Sequence, residues 1–172
     1  MSNHAALSRT EKLVAHADIL IAIPTCMRPR RLARCLASMA TLKLPPNKRV
    51  DLLVADNDFS MSARAMVENF SLQSPFNIYY TVAQERGLCH VRNHIFDTAV
   101  MMNTDYVATC DDDNAVSPEW LTELYSALIS EQADSCEGVE INDAEIKSRA
   151  ITPPPPPPES VKDPPSRLAF HI

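Results

Sequence analysis

The sequence predicts an α/β protein built around a mostly parallel sheet. Short apolar runs of strand length recur from residue 18 onward, and stretches with helical apolar spacing fill the intervals between them. Acidic clusters also fall where apolar runs stop, as expected of functional residues at strand ends in such a sheet.

The strands are expected at 18–24 ("DILIAIP"), 50–56 ("VDLLVAD"), 77–83 ("NIYYTVA") and 105–110 ("DYVATC"), with a weaker fifth near 137–142. Between the first two, "RPRRLARCLASMATL" places Leu32, Cys35, Leu36 and Met39 at helical spacing, and Pro29 suits a first turn. "SARAMVENF" and "GLCHVRNHIFDTAVMM" read as helices in the same way. "SPEWLTELYSALI" predicts a helix with Ser117 as N-cap, Pro118 at the first helical position and Glu119 in the positive first turn. The apolar stripes of these helices are core-forming faces.

With 172 residues the chain has the length of one ordinary domain, which buries roughly 70% of its unfolded surface. A composition of 45% apolar and 22% charged residues is globular, and 22 acidic against 16 basic residues, net −6, argue against a nucleic-acid surface. The longest apolar run near the start, "ILIAIPTCM", is far short of the ~20 residues a bilayer span requires. Asp18 precedes that run and charged residues follow it, unlike a signal peptide, so the expected location is the cytoplasm. Cys26, Cys35, Cys89, Cys110 and Cys136 contain no Cys-x-x-Cys pair and read as small core residues.

Domain organisation is expected as an N-terminal extension over 1–17, a folded half-domain over 18–142 and a disordered proline-rich tail over 143–172. Eight prolines from Pro153 onward exclude helix and sheet ladder alike. Six of them in a row would form a left-handed rod of roughly 19 Å, read as a linker or end segment rather than a docking peptide.

The chemistry concentrates in "TCDDDNAVSPEWL". Asp111, Asp112 and Asp113 directly follow a predicted strand. In extended backbone Asp111 and Asp113 point to one side and Asp112 to the other. Two carboxylates on one side suit a hard divalent cation such as magnesium or manganese, whose remaining positions go to phosphate oxygens and water. A second acidic cluster, "ADNDFS", puts Asp56 and Asp58 at another strand end, and two such clusters repel each other unless a cation or polar ligand is present.

The series "ILIAIPTCMRPRRLARCLASM", "VDLLVADNDFSMSARAMVE", "AQERGLCHVRNHIFDTA" and "DYVATCDDDNAVSPEWLTEL" resembles the nucleotide-binding half of family 2 glycosyltransferases of the GT-A fold. The likeness is strongest to bacterial exopolysaccharide enzymes of the succinoglycan-biosynthesis type, and the four blocks match in order and spacing over about residues 18–130. The resemblance implies a three-layer α/β/α fold, a nucleoside-diphosphate sugar as donor, most plausibly a UDP-sugar, and manganese or magnesium as cofactor. It implies that Pro24, Thr25 and Arg28, in the turn after the first strand, help hold the nucleotide. Asp56 would read base and ribose, with Asp58 a second candidate, because "DND" varies the usual "DDG". "GLCHVRN" matches a Gly-Leu-Ser-x-Ala-Arg-Asn pattern, so Gly87, Arg92 and Asn93 should approach the nucleotide, and Cys89 and Val91 depart from it only in packing. The Asp-x-Asp signature falls on Asp111 and Asp113 as metal ligands, with Asp111 and Asp112 also facing the donor. His90 and His94 read as surface or packing residues.

The implied activity is inverting transfer of a sugar to a saccharide or lipid-linked acceptor in polysaccharide synthesis, with any association with the inner membrane peripheral. Such chemistry needs a carboxylate base for the acceptor hydroxyl. Glu140, Asp143 and Glu145 are available, but none lies in a recognisable base motif and no catalytic residue is assigned. After about Asn142 the resemblance ends, so the chain reads as truncated, and the alternative reading is a non-catalytic piece that at most binds nucleotide and metal. A sugar-nucleotide pyrophosphorylase would need a glycine-rich loop, and the chain has only Gly87 and Gly138. A receiver domain would need a lysine on a last strand that the sequence does not offer.

Overall fold

The structure is a computed structural model, and it describes residues 17–138. Eight elements alternate along the chain: β1 (Ile19–Thr25), α1 (Pro29–Met39), β2 (Val50–Asp56), α2 (Arg64–Ser71), β3 (Asn77–Val82), α3 (Leu88–Met101), β4 (Tyr106–Thr109) and α4 (Trp120–Ser130). All strand pairings are parallel, in the order β3-β2-β1-β4. The described residues divide into two compact units, one of residues 17–26 and 48–110, the other of residues 27–47 and 111–138.

The first unit holds the sheet. β1 and β2 are buried on both faces, which explains why they read as unbroken apolar runs rather than alternating ones. Leu20, Ala22, Leu53 and Ala55 face the α3 side chains Val91, Ile95 and Ala99, with Tyr79 and Val107 packed against the same cluster. The period of two on the strands and the spacing 91, 95, 99 on α3 are thus two halves of one core. β3 and β4 are the edges and remain half-exposed. Parallel register brings Thr25 level with Asp56 and Asp56 level with Val82, so the ends of β1, β2 and β3 lie at one edge of the sheet. β4 stops earlier, with Thr109 level with Ala22. The order reverses at β1, whose neighbours β2 and β4 are reached in opposite directions along the sheet. Such a switch point is where parallel α/β sheets take their ligands.

At the opposite end, Asp18 accepts the Arg49 N–H at 2.8 Å and pairs with Lys48 at 3.3 Å. Nearly fully buried Asp51 is held by Arg49 at 3.1 Å and by the Asn77 side-chain amide at 3.0 Å. These contacts fix the register in which the strands start.

The second unit contains α1 and α4. Pro29 does occupy the first turn of α1, where a missing N–H is harmless, and Leu32, Cys35, Leu36 and Met39 are all buried. α4 begins later than its sequence signals suggest. Its N-cap is Glu119 rather than Ser117, and Ser117 to Trp120 form a turn closed by Trp120 N–H to Ser117 C=O at 3.1 Å. The displacement has a tertiary cause: Lys43 donates its N–H to the Pro118 carbonyl at 2.8 Å and its ammonium to the Glu119 carboxylate at 2.6 Å. After α4 the chain returns along it, with the Cys136 thiol at 3.4 Å from the Leu124 carbonyl.

Cys35 and Cys110 are buried as expected and Cys26 half-buried, but Cys89 and Cys136 are exposed. Cys89 sits at the solvent-facing start of α3, and Cys136 follows the last helix. In the region of the expected fifth strand, residues 137 and 138 are irregular, and the rest, with the N-terminal extension and the proline-rich tail, lies outside the described residues.

Candidate functional site

In the first unit the acidic cluster at the end of β2 is folded into a closed hydrogen-bond system. Asp56 is fully buried: its Oδ2 accepts the Tyr80 hydroxyl at 2.7 Å and the Ala63 N–H at 3.1 Å, and its Oδ1 accepts the Asp58 N–H at 3.0 Å. Burial raises the Asp56 carboxyl above its ordinary range, against the pull of these three donors. The Tyr80 hydroxyl is pushed far up in turn, by burial first and by its bond to Asp56 second.

Asp58 is also buried, and burial alone would raise it, but the Ser60 and Ser62 hydroxyls and amides together hold it below its ordinary value. Its Oδ1 accepts the Ser60 N–H at 3.1 Å, its Oδ2 takes the Ser60 hydroxyl, and Arg86 lies 3.9 Å away. The two carboxylates expected to face a nucleotide are therefore satisfied internally and shape the loop after β2.

Between them stands Asn57, which charge-directed reading passed over. Its own N–H bonds to the Thr25 carbonyl at 2.8 Å, its side-chain oxygen accepts the Gly87 N–H at 2.7 Å, and its side-chain amide donates to the Glu85 carbonyl at 2.6 Å. Pro24 and Thr25 are buried in β1. Gly87, Arg92 and Asn93 are exposed on the loop and the first turns of α3. Gly87 precedes α3 with φ +131°, a region open essentially to glycine alone, and has no side chain with which to cap the helix. The start of α3 thus presents backbone donors and the positive end of its dipole, features suited to an anion. His90 pairs with Glu85 at 3.0 Å, and His94 meets the Thr81 hydroxyl at 2.8 Å.

In the second unit the triple aspartate lies along the first turns of α1. Asp112 is buried and paired with Arg28 at 3.4 Å, whereas Asp113 is exposed and meets Arg31 at 3.0 Å and Arg28 at 3.5 Å. Asp111 is exposed, so exposure alternates along the three residues. Further down α1 the Cys35 thiol reaches the Asp111 carbonyl at 3.7 Å, and the Ser38 hydroxyl accepts the Val116 N–H at 3.1 Å. Positions 28, 31, 35 and 38 recur at helical spacing, so one face of the Pro29–Met39 helix and the residue before it hold the acidic segment. Arg31 was missed in the sequence, although its place three residues after Arg28 was the available signal.

Among the described residues there is no group of three or more histidine, cysteine or acidic side chains arranged for a metal. The pair Asp111 and Asp113 offers exposed hard oxygen donors, which fits a divalent cation that takes its other ligands from phosphate and water. Arg28 and Arg31 supply the compensating positive charge along the same segment.

The sequence model described as glycosyl transferase family 2 matches residues 20–152. The succinoglycan biosynthesis protein ExoM of Rhizobium meliloti (strain 1021) is 38% identical over 109 residues, covering 63% of this chain and 33% of that protein. The chain therefore spans about a third of the length of this curated relative. Among solved structures, S. aureus TarS is similar with a TM-score of 0.58 at 16% identity, covering 73% of this chain and 23% of TarS. The mannosyltransferase PcManGT from Pyrobaculum calidifontis, solved with GDP-Man and Mn2+, has a TM-score of 0.54 at 16% identity, covering 66% of this chain and 32% of its own. At such identities the likeness shows the fold, a parallel α/β sheet of the GT-A kind. With a family match that takes in well over half of the chain, from the second residue of β1 through α4, the chain belongs to glycosyl transferase family 2.

Proposed function

We propose that this chain binds a nucleoside-diphosphate sugar, specifically a UDP-sugar, and serves inverting glycosyl transfer to a saccharide or lipid-linked acceptor in polysaccharide synthesis. The observation that carries the reading is the sheet edge where β1, β2 and β3 end together, with Asn57 tying the glycine-led start of α3 to the strand ends. That edge offers shaped backbone donors and an exposed arginine, Arg92, to an anionic nucleotide. S. aureus TarS has been solved with UDP and with UDP-GlcNAc, and PcManGT with GDP-Man, which supports a nucleotide sugar as the ligand class. Synthesis of an extracellular polysaccharide is suggested by the likeness to ExoM.

Gly87, Arg92 and Asn93 would approach the nucleotide directly. Pro24 and Thr25 would form the floor beneath it, and Asp56 and Asp58 would set the loop that receives base and ribose. Asp58 is buried beneath the Ser60 turn, so direct contact with a nucleotide requires that turn to open. Asp111 and Asp113 would hold manganese or magnesium, with Asp112 and Arg28 fixing the segment that carries them. When bound, the cation offsets charge that develops on the departing diphosphate. No described helix is long and apolar enough to cross a membrane. The candidate base carboxylates Glu140, Asp143 and Glu145 lie outside the described residues.

Titration calorimetry tests the reading. UDP should bind more tightly with manganese than with a chelator, and Asp113→Ala should remove most of that difference while leaving the unfolding transition cooperative. Equal affinity under both conditions contradicts the metal assignment, and no binding under either contradicts the nucleotide assignment. Binding of UDP-sugar without transfer to any acceptor favours the second reading, a chain that holds nucleotide without catalysis.

A further inference from the structure

We infer that Asn57 is a positioning residue that sets the nucleotide-facing start of α3, an assignment that rests on the nucleotide reading above. Asn57 is buried, and its polar groups reach two other segments, the end of β1 and the loop that leads into α3. Its N–H bonds to Thr25 at the end of β1, its Oδ1 accepts the Gly87 N–H at 2.7 Å, and its Nδ2 donates to the Glu85 carbonyl at 2.6 Å. The Cys26 thiol reaches the Asn57 carbonyl at 3.5 Å, so both the side chain and the backbone of this residue are used.

The chemistry demands a carboxamide. One end of the side chain faces a donor and the other an acceptor, which fixes the orientation of the amide, since the flipped form would oppose N–H to N–H and oxygen to oxygen. A carboxylate keeps the Gly87 bond but turns an oxygen toward the Glu85 carbonyl, and an alanine loses both. Gly87 lies at φ +131° with no side chain, and its carbonyl accepts the Val91 N–H at 3.0 Å, a bond that joins it to α3 and not to the strand ends. Three further contacts hold the same loop, Ala83 N–H to the Asp56 carbonyl at 2.9 Å, Arg86 to Asp58 at 3.9 Å and His90 to Glu85 at 3.0 Å, but none of them involves an atom of Gly87. Asn57 therefore determines where the first backbone donors of α3 and Arg92 point.

The test compares Asn57→Asp and Asn57→Ala with the parent chain by amide hydrogen exchange over residues 85–91 without nucleotide, by thermal unfolding, and by UDP titration with manganese. Exchange at Gly87 should accelerate in both variants while most of the sheet stays protected. UDP affinity should fall about tenfold or more, in keeping with the loss of one or two buried hydrogen bonds. Asn57→Asp should regain affinity relative to the parent as pH falls, because the protonated carboxyl can donate to Glu85 and still accept from Gly87. The ionisable groups around it are Asp56, Asp58, Glu85, Arg86, His90 and Cys26, and comparison with the parent at each pH separates their contribution from that of the substituted residue. Unchanged exchange at Gly87 in both variants overturns the inference, as does unchanged UDP affinity. If the parent chain binds no UDP, the nucleotide reading fails, and exchange at Gly87 alone still decides whether Asn57 sets this loop.

Discussion

Replacing Gly87 with alanine puts a methyl group into backbone that side-chain-bearing residues rarely enter. At φ +131° and ψ 149° the conformation itself costs of order 1–3 kcal/mol for a non-glycine residue. The added Cβ would stand 3.2 Å from His90 Cδ2, closer than ordinary contact. His90 is exposed and can swing aside at the expense of its 3.0 Å pair with Glu85, a surface interaction worth about 0–1 kcal/mol. The backbone therefore dominates. If the peptide rotates to escape, the 2.7 Å bond from Gly87 to Asn57 is lost, at about 0.5–1.5 kcal/mol. The two routes together bracket a destabilisation of about 1–2 kcal/mol, which in a domain of this size lowers the thermal midpoint by roughly 2–8 °C. Circular dichroism melting of the Gly87→Ala variant measures it directly, and UDP titration reads the accompanying displacement of α3. A midpoint and an affinity both equal to those of the parent would refute the reasoning, because they would mean that the loop does not hold this strained conformation.

Tyr80→Phe removes a donor from the buried Asp56 and should cost about 1–3 kcal/mol in urea unfolding near neutral pH. Because burial already raises the Asp56 carboxyl and Tyr80 pulls it down, the variant's carboxyl rises further. A raised acid contributes stability below its unfolded value and loses it as pH rises through the folded value, so the penalty should be larger near neutrality than at about pH 4. His94 behaves in the opposite sense: burial lowers it, its neutral form is favoured when folded, and stability should fall as pH drops below the ordinary value of 6.5. His94→Gln should flatten that part of the stability profile, and an identical slope in parent and variant would contradict the assignment. Arg31→Ala should leave the melting midpoint nearly unchanged, since its pair with Asp113 is exposed, yet should alter the manganese dependence of UDP binding by leaving that carboxylate only its 3.5 Å pair with Arg28.

Much of the architecture was legible because strand and helix periods were strong. The run 50–56 is β2 from end to end, and the Pro29 signal marks the first turn of α1. Order within the sheet was not legible, since periodicity says which face of a strand is buried and nothing about its neighbour. The start of α4 was misread because Ser117, Pro118 and Glu119 carry every local signal of a helix beginning, while Lys43, remote in sequence, draws the carbonyl of one and the carboxylate of another into a turn. Tertiary contacts overrode local preference there.

The candidate site was legible in its charges and not in its hydrogen bonds. Asp56 and Asp58 stood out as carboxylates at a strand end, yet both are buried and engaged by Tyr80, Ala63 and Ser60. Asn57, uncharged and between them, makes the contacts that connect β1, β2 and α3. Pattern reading weights residues by the rarity of their charge, whereas a loop is held by matched donors and acceptors, and these become visible only once the chain is folded.

The central claim is that the edge where β1, β2 and β3 end receives a nucleotide. Amide NMR spectra of the chain, recorded as UDP is added with magnesium, test it most directly. Shift changes should concentrate at Asp56 to Ser60 and Glu85 to Asn93, with Asp18, Asp51 and Asn77 at the other end of the sheet unmoved. Changes centred on Asp18, Asp51 and Asn77, or the absence of any localised change, would contradict it.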